Sequence, residues 1–352
     1  MGTMVTWALA VLLALTPQAQ TGWEALARKD ADAAAAAFRR ALEADPKDAR
    51  ALTGAGVAAQ LLGHPDEARD LFTRAVQANP RLIDPYGALG RLEYAQGNLA
   101  RAIEWYEKFV ALAPDDAAAV ERLAAWKKEA ALHDSLLSQP AGRFTILFEG
   151  ETQQAIANRV SEVLEASYYR VGRALNAFGQ DTVTVILYTG EQFRDITQAP
   201  AWAGGAYDGR IRIPVGGALN RPQELDRVVI HEFVHSAIRQ VYPRTPKWLN
   251  EGLATYFEPG DHSALLRRLR GTDGQIPLAR LNQAFQTSEG ADAAVAYAEA
   301  FAATSLLADK LGDRLPVLLQ YLNEGMAFDE ALQLFNLQVT DLEQAWTRRD
   351  HH

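Results

Sequence analysis

His231-Glu232-Phe233-Val234-His235 lies in the second half of the chain, and Trp248-Leu249-Asn250-Glu251-Gly252 follows it closely. If residues 222–242 are helical, the two histidines are four positions apart and project from the same face, about one turn from each other. Neutral imidazoles in this arrangement can share one metal ion, and they suit Zn²⁺. The first motif therefore predicts a zinc site on a helix.

A catalytic zinc site takes three ligands from the protein and leaves the fourth position to water. Glu251 is the predicted third ligand. It lies sixteen positions after His235, which leaves room for a turn at Tyr242-Pro243 and a second helix that runs back past the first. Glu232 directly follows His231, so its carboxylate points beside the metal, where a general base belongs. The alternative is a chance pattern on a surface helix, but the second motif favours the metal site.

The two motifs, HEFVH and WLNEGLATYFE, resemble those of the gluzincin zinc peptidases. They are most similar to the peptidase MA-like domains that are often attached to helical repeats, and the resemblance covers roughly Arg143 to Arg349. It implies that His231, His235 and Glu251 bind the zinc. It also implies that Glu232 is the catalytic base and that the reaction is peptide hydrolysis.

One stretch departs from the larger aminopeptidases of this clan, in which a glutamate before the zinc helix holds the free amino terminus of the substrate. The corresponding stretch here, residues 204–209, reads Gly-Gly-Ala-Tyr-Asp-Gly and contains no glutamate. The sequence therefore favours an endopeptidase over an aminopeptidase.

Peptide hydrolysis also needs a neutral donor that stabilises the oxyanion of the tetrahedral intermediate. Tyr297 is the predicted donor, since related domains place a tyrosine on the helix after the ligand glutamate. A buried structural tyrosine is the alternative. Tyr256 is a second candidate, but it lies five positions after Glu251 and therefore on a different helix face.

Two further polar residues are candidates for orienting a ligand histidine. Thr255 and Glu258 lie four and seven positions after Glu251, so a continuous helix would place them on the same face. A polar helix face toward solvent explains them equally well. His262 follows Pro259-Gly260-Asp261 in a loop and is predicted to be exposed rather than a ligand.

The first part of the chain contains an internal repeat of thirty-four residues. A glycine, an alanine, an aromatic residue and a proline recur at this spacing: Gly22, Gly56 and Gly90; Ala34, Ala68 and Ala102; Phe38, Phe72 and Tyr106; Pro46, Pro80 and Pro114. The pattern resembles the tetratricopeptide repeat, in which small residues allow close helix approach and the aromatic fills the groove between two helices. Such repeats imply a protein partner, whereas a chance alanine-rich bundle is the alternative.

Three tetratricopeptide-like repeats are predicted over residues 21–116, followed by a capping helix and linker over 117–140 and a gluzincin-like peptidase domain over 141–352. The linker is placed where Ser138 to Gly142 breaks the helical pattern. The opening helix of the first repeat begins inside a predicted leader, so this copy is expected to act as a cap or to fray.

A small sheet is predicted before the zinc helix, with strands over 143–148, 182–188 and 211–215, a helix over 152–178, and a two-residue turn at Asp208-Gly209. The edge strand beside the zinc helix is expected to pair with an extended substrate, and Gly204 to Tyr207 or Ile211 to Pro214 are the candidates. Helices are predicted after the site over 293–311, 315–323, 328–335 and 341–349.

The predicted fold class is therefore α+β and mostly α. It combines a tetratricopeptide-type α-solenoid with a zincin-like domain that has a small sheet and a helical C-terminal half. The 352 residues, 48% hydrophobic and 22% charged, fit an ordinary globular protein. The net charge of −9 and the lack of a basic cluster argue against a nucleic-acid partner. The chain contains no cysteine, which excludes disulfides and thiolate metal sites.

Trp7 to Leu15 is a continuous apolar run of signal-peptide length, too short to span a bilayer. Residues 1–20 are therefore predicted to be a signal peptide, with export to the bacterial periplasm or cell envelope and no stable membrane span after cleavage. The usual basic residue before the run is missing, so an uncleaved anchor and a misread start are the alternatives.

Three functions are consistent with these features. The first is an exported zinc metallopeptidase that acts on a polypeptide substrate and whose repeats bind a protein. The second is a catalytically idle zincin-like domain that serves as a tetratricopeptide scaffold, which the intact Glu232 disfavours. The third is a zinc hydrolase that acts on something other than a peptide.

Overall fold

The structure is a computed structural model that describes residues 16–197, 205–216, 221–269, 276–287 and 291–348. The chain divides into two compact units, one ending at Asp134 and the other beginning at Ser135. The apolar run over Trp7 to Leu15 lies outside the described residues. Within the described ranges, no helix is both long and apolar enough to cross a membrane.

The first unit is a row of helical hairpins. Its helices are α1 (Pro17–Ala27), α2 (Ala31–Ala44), α3 (Ala49–Leu61), α4 (Pro65–Ala78), α5 (Asp84–Ala95), α6 (Leu99–Leu112) and α7 (Ala117–Asp134). The residues that turn the chain within each hairpin, Lys29, Gly63 and Gly97, all have positive φ and stand thirty-four positions apart. The repeat period of the sequence is therefore also the period of the backbone.

A glycine in the first helix of each hairpin faces the aromatic ring of the second. The rings of Phe38, Phe72 and Tyr106 are almost completely buried. A Cβ atom added to the glycine would lie far inside van der Waals contact with the ring: 2.7 Å at Gly22, 2.5 Å at Gly56 and 2.6 Å at Gly90. The recurring spacing of glycine and aromatic residue is thus a packing requirement, because the ring fills the space of a side chain.

Helix α1 begins inside the predicted leader, as the repeat pattern indicates. It begins at Pro17, and the Thr16 side chain caps it by accepting a hydrogen bond from the Ala19 N–H (3.2 Å). Ala19 is fully buried in a core that includes Phe38. Residues 17–20, which the sequence assigns to a signal peptide, are part of a packed helix in the described chain.

The second unit opens with a five-stranded sheet of order β1-β2-β3-β5-β4. The strands are β1 (Leu137–Ala141), β2 (Phe144–Phe148), β3 (Val183–Tyr188), β4 (Ala206–Tyr207) and β5 (Ile211–Pro214). The three inner strands are parallel, and the two edge strands β1 and β4 run antiparallel to their neighbours. Helix α8 (Gln154–Leu175) connects β2 to β3 and buries Val160 and Leu164 in the main core.

The predicted linker at Ser138 to Gly142 is wrong, because most of it forms strand β1. Leu137 pairs with Phe148 and Ala141 with Phe144. Pro140 is tolerated here because β1 is an edge strand, where a missing N–H need not break the ladder. Gly142, with φ of 61°, then makes the turn into β2.

The hairpin between β4 and β5 has three connecting residues rather than the predicted two, since Tyr207 pairs with Ile211. Gly209 supplies the positive φ (101°), and the Asp208 carboxylate forms an ion pair with the buried Arg212 (Nη2 to Oδ2, 3.0 Å). Because β5 lies between β3 and β4, Ile211 to Pro214 is not an edge strand. Of the two candidates for substrate pairing, only the segment ending at Tyr207 lies on the edge.

The remainder of the second unit is helical. It contains α9 (Gly190–Thr197), α10 (Pro222–Val241), α11 (Lys247–Phe257), α12 (Ser263–Leu266), α13 (Leu278–Thr287), α14 (Ala291–Leu311), α15 (Leu315–Asn323), α16 (Phe328–Gln333) and α17 (Val339–Arg348). The four helices predicted after the site are present within two residues at each end. Helices α9, α12 and α13 were not predicted. These elements confirm the α+β, mostly helical fold class.

We predict that Gly56→Ala destabilises the repeats even though alanine is the better helix former by about 1 kcal/mol. The new methyl group would overlap the Phe72 ring, and overpacking of a core typically costs about 1–3 kcal/mol. Urea denaturation of the full chain measures the change. Gln60→Ala, at an exposed position of the same helix, is the matched control and should leave the stability unchanged. Equal or higher stability of Gly56→Ala would contradict the packing role.

Candidate metal and catalytic site

The structure brings the three predicted ligands together. His231 and His235 lie one turn apart on α10, and Glu251 projects from α11. Glu251 Oε2 is 3.7 Å from His231 Nε2 and 3.5 Å from His235 Nε2. One potential ligand atom from each residue lies within 4.8 Å of the other two.

A short, anchored turn sets the position of α11 against α10. Helix α10 ends at Val241, and the Tyr242 hydroxyl donates a hydrogen bond to the Leu175 carbonyl of α8 (3.0 Å). Helix α11 starts directly after Pro246, and the Trp248 N–H in its first turn donates to Asn282 Oδ1 (3.0 Å). The turn at Tyr242-Pro243 that the sequence predicts therefore lies at the end of the hairpin formed by α10 and α11.

Each histidine is oriented through its second ring nitrogen. His231 Nδ1 is 2.6 Å from Glu258 Oε1, and His235 Nδ1 is 3.0 Å from Asn250 Oδ1. Donation of the Nδ1 proton to these acceptors leaves each Nε2 lone pair directed at the side of Glu251. In the neutral form with the proton on Nδ1, each imidazole therefore presents Nε2 toward Glu251, as metal binding requires.

Of the two proposed orienting residues, the structure supports Glu258 and not Thr255. Helix α11 ends at Phe257, and Glu258 is extended (φ −59°, ψ 143°), which lets its carboxylate turn toward α10. The Thr255 hydroxyl instead donates to the Glu251 carbonyl of its own helix (3.0 Å). Sequence reasoning missed Asn250, and its only signal was an amide directly before a predicted ligand.

The donor set fits a tetrahedral Zn²⁺ ion. Glu251 Oε2 is buried and has no hydrogen-bond partner among the described residues, which is unusual for a carboxylate oxygen. Two ligand atoms bound to one tetrahedral zinc at about 2.0–2.1 Å stand about 3.3 Å apart. The nitrogen-to-oxygen distances of 3.5 and 3.7 Å are close to this separation. A cation between the three atoms would satisfy the unpaired oxygen.

The electrostatics of the site favour a positive charge at its centre. Burial alone lowers the pKa of His231, but the Glu251 and Glu258 carboxylates outweigh it and raise the pKa to about 10. Burial alone raises the pKa of Glu251, but the imidazoles of His235 and His231 hold that pKa well below its usual range. The Glu251 and Glu258 carboxylates would likewise attract a metal cation that takes the place of the imidazole protons.

Glu232, the predicted catalytic base, is buried (5% exposed) beside the ligands, and this burial raises the pKa of its carboxyl group. The backbone before strand β4 packs directly against it. A Cβ atom added to Gly205 would lie 2.8 Å from Glu232 Oε1 and 2.9 Å from Val228 Cγ1. Gly205 therefore allows the sheet edge to approach the carboxylate of Glu232.

Tyr297, the predicted donor, lies across from the ligands on α14. Its ring packs edge-on against Phe285 (5.1 Å between centroids). Burial and then the carboxylates of Glu251 and Glu232 raise the pKa of its hydroxyl, so it remains a neutral donor. Tyr256 is 39% exposed and lines neither of the described cavities at the site, so it does not replace Tyr297.

Comparison with known proteins identifies the family of the chain and its repeats. The family model of the Peptidase MA superfamily matches residues 165–349, which is more than half of the chain. The chain belongs to the Peptidase MA superfamily. Two tetratricopeptide repeat models match residues 20–82 and 59–126, which confirms the repeats in front of the peptidase MA domain.

Individual relatives are more distant. The Cellulose synthase 2 operon protein C of Komagataeibacter xylinus is 28% identical over 288 residues, which are 79% of this chain but 18% of that protein. The first tetratricopeptide domain of human RPAP3 is 22% identical with a TM-score of 0.31, covering 33% of this chain and 91% of that one. The first tetratricopeptide domain of Spaghetti (RPAP3), bound to an HSP90 peptide, is also 22% identical with a TM-score of 0.31. This match covers 32% of this chain and 93% of that one.

Two cavities of the peptidase MA domain meet at Glu232. The first has a volume of about 450 Å³ and includes the sheet edge at Ala206 and Tyr207. The second has a volume of about 620 Å³ and includes His262, which is half-buried and stacked on Phe301 (4.5 Å) rather than exposed as predicted. Gly205, His231, Glu232 and Tyr297 line both. The cleft therefore continues on both sides of Glu232.

We predict that Gly205→Ala displaces the Glu232 carboxylate and lowers the free energy of unfolding by about 1–2 kcal/mol, because the new methyl group overlaps Glu232 and Val228. Chemical denaturation and a crystal structure of the variant test this. Gly216→Ala is the control, since a Cβ atom there meets nothing within 4 Å. An unmoved Glu232 in the variant would show that the contact is unimportant.

Proposed function

We propose that this protein is a zinc-dependent endopeptidase whose tetratricopeptide repeats bind a protein. The observation that carries the proposal is the convergence of His231, His235 and Glu251 on one point beside the buried carboxylate of Glu232. Membership of the Peptidase MA superfamily supports the same activity.

The three converging side chains would hold the zinc ion, with Glu258 and Asn250 fixing the histidines. Zinc in such a site supplies Lewis-acid polarisation of the scissile carbonyl and lowers the pKa of water. Loss of one orienting partner typically reduces metal affinity 10–100-fold.

Glu232 would transfer the protons, and Tyr297 would stabilise the negative charge that develops on the substrate oxygen. Glu232 accepts a proton from the attacking water as the new C–O bond forms, and passes it to the departing amine nitrogen as the C–N bond breaks. The Tyr297 hydroxyl donates a hydrogen bond to the developing oxyanion. The products are a new carboxylate and a new amine, so no further reactant is needed.

Substrate would bind as an extended strand along Ala206–Tyr207, where β4 forms the free edge of the sheet. The cleft continues on both sides of Glu232, which suits a chain that passes through the site. Residues 205–210, which begin with the glycine at Glu232, supply no glutamate to hold a free amino terminus. These features support internal cleavage rather than trimming.

The proposal also covers what the repeats bind and where in the cell the protein is located. Tetratricopeptide repeats form extended surfaces that bind other proteins, so the first unit would recruit a substrate or a partner. The matched relative is a protein of a cellulose synthase operon, and this chain spans 18% of its length. Export to the cell envelope remains part of the proposal and rests on the apolar run over Trp7 to Leu15.

The deciding experiment compares the native chain with Glu232→Gln. We expect about one zinc per chain by elemental analysis in both proteins, and hydrolysis of a denatured protein substrate only by the native chain. The variant should be about 10²–10⁴-fold slower, as is typical for loss of a general base. Zinc-free, inactive protein would indicate the scaffold alternative. Full zinc without cleavage of any peptide would indicate a hydrolase with another substrate.

We further predict that Glu258→Gln weakens zinc binding 10–100-fold, because an amide is a poorer acceptor for the His231 Nδ1–H. Competition with a chromogenic chelator measures the affinity. Thr255→Ser is the matched control, since Thr255 binds its own helix and not a ligand. Equal affinities of the two variants would exclude an orienting role for Glu258.

A further inference from the structure

We infer that the cleft contains a carboxylate-binding subsite formed by Arg239 and Lys247, which selects substrates with a negative charge near the bond that is cut. This inference rests on the proposed peptidase function and adds a substrate class to it. Both residues line the first cavity together with the three converging ligands.

The position of the two basic residues follows from helix geometry. Arg239 lies four positions after His235 on α10, and Lys247 lies four positions before Glu251 on α11. Each is therefore one helical turn from a ligand and on the same helix face. Because α10 and α11 form a hairpin, both turns lie at its closed end and on the same side of the ligands.

The charge balance differs between the two cavities. In the first, the acidic side chains among the described lining residues are Glu232 and Glu251, both part of the proposed metal site, so no further carboxylate of the lining balances Arg239 and Lys247. Asp181 and Asp208 lie outside this lining, although they and Arg239 all act on the Tyr207 hydroxyl. In the second, Arg227 is neutralised by Glu258 (3.0 Å) and Glu224 (2.6 Å). An anionic substrate group is therefore favoured only on the Arg239 side of Glu232.

The two cationic groups are available to a ligand. Arg239 is exposed and forms no ion pair with a carboxylate of the described residues. The Lys247 ammonium group donates one hydrogen bond to the Phe285 carbonyl (3.1 Å) and lies over the Phe285 ring (5.8 Å to the centroid). This contact holds the ammonium group in place and leaves two further N–H donors.

The distance to the reacting centre limits where the charge lies in the substrate. Four helical residues rise about 6 Å, and an extended peptide advances about 3.3 Å per residue. The recognised carboxylate is therefore about two residues from the bond that is cut. It is the side chain of an aspartate or glutamate if the chain is cut internally, or the free C-terminal carboxylate if the peptidase removes residues from the C-terminal end.

Binding to the zinc-loaded Glu232→Gln protein tests the subsite without cleavage. Three pools of random octapeptides with an uncharged BODIPY label serve as probes: amidated with Asp and Glu included, lacking Asp and Glu with a free C-terminus, and amidated without any acidic residue. Fluorescence anisotropy should show about tenfold tighter binding of one carboxylate-bearing pool than of the neutral pool, as one charge-assisted contact provides. The pool that binds identifies the source of the carboxylate.

Substitution then assigns the preference to the two residues. In the background of Glu232→Gln, the double variant Arg239→Gln/Lys247→Gln should reduce the tenfold preference to less than about twofold. The control Arg173→Gln/Lys310→Gln changes the net charge equally at exposed sites outside both described cavities and should keep the preference. If the double variant does not fold, Arg239→Lys/Lys247→Arg should retain the preference and added salt should weaken it in the parent protein.

Equal affinities of the three pools, or no binding of any pool, would overturn the subsite. A preference that survives Arg239→Gln/Lys247→Gln would overturn its assignment to these residues. Hydrolysis by the native chain is measured separately. Failure of hydrolysis with an intact carboxylate preference would refute the proposed peptidase and leave the subsite standing.

Discussion

The carboxylate oxygen of Glu251, buried against two imidazole nitrogens without a hydrogen bond to any described residue, is the contact on which the second unit depends. An oxygen in this position requires that α11 be held firmly against α10. The turn at Tyr242-Pro243 holds α11 against α10 at one end, and α14 packs against α11 behind Glu251. A Cβ atom at Gly252 would lie 2.5 Å from the Ala300 carbonyl of α14, so the two helices touch directly behind Glu251.

The contacts that orient the two histidines continue to residues farther from Glu251. Glu258 binds His231 on one side and Arg227 on the other, and Arg227 in turn binds Glu224 at the start of α10. Charge at the ligands is therefore balanced through a chain of ion pairs on one side of the cleft. On the other side, His235 contacts the neutral amide of Asn250, so the chain of charged groups does not continue there. The two ends of the cleft thus differ in potential although they share the same central residues.

Much of the fold and the convergent site could be predicted from the sequence, because both depend on periodicity. The spacing of His231 and His235 defines a helix face, and the thirty-four-residue period defines the hairpins. Contacts that depend on where a helix ends were harder to predict. Glu258 orients His231 because α11 stops one residue before it, not because it shares a face with Glu251. Strand β1 was missed because a proline such as Pro140 usually indicates the end of a strand, and it is compatible with β1 only because β1 lies at the edge of the sheet.

The ring of Phe38 lies between two hairpins, since added Cβ atoms would lie 2.7 Å from it at Gly22 of its own hairpin and 2.2 Å from it at Gly54 of the next. A hairpin in such a row completes its interior only with its neighbour, and a further hairpin stacked on the end repeats the same kind of contact. Evolution can therefore lengthen or shorten such an array by gene duplication. The reach of the binding surface would then change in steps of one hairpin while the enzyme-like unit stays as it is.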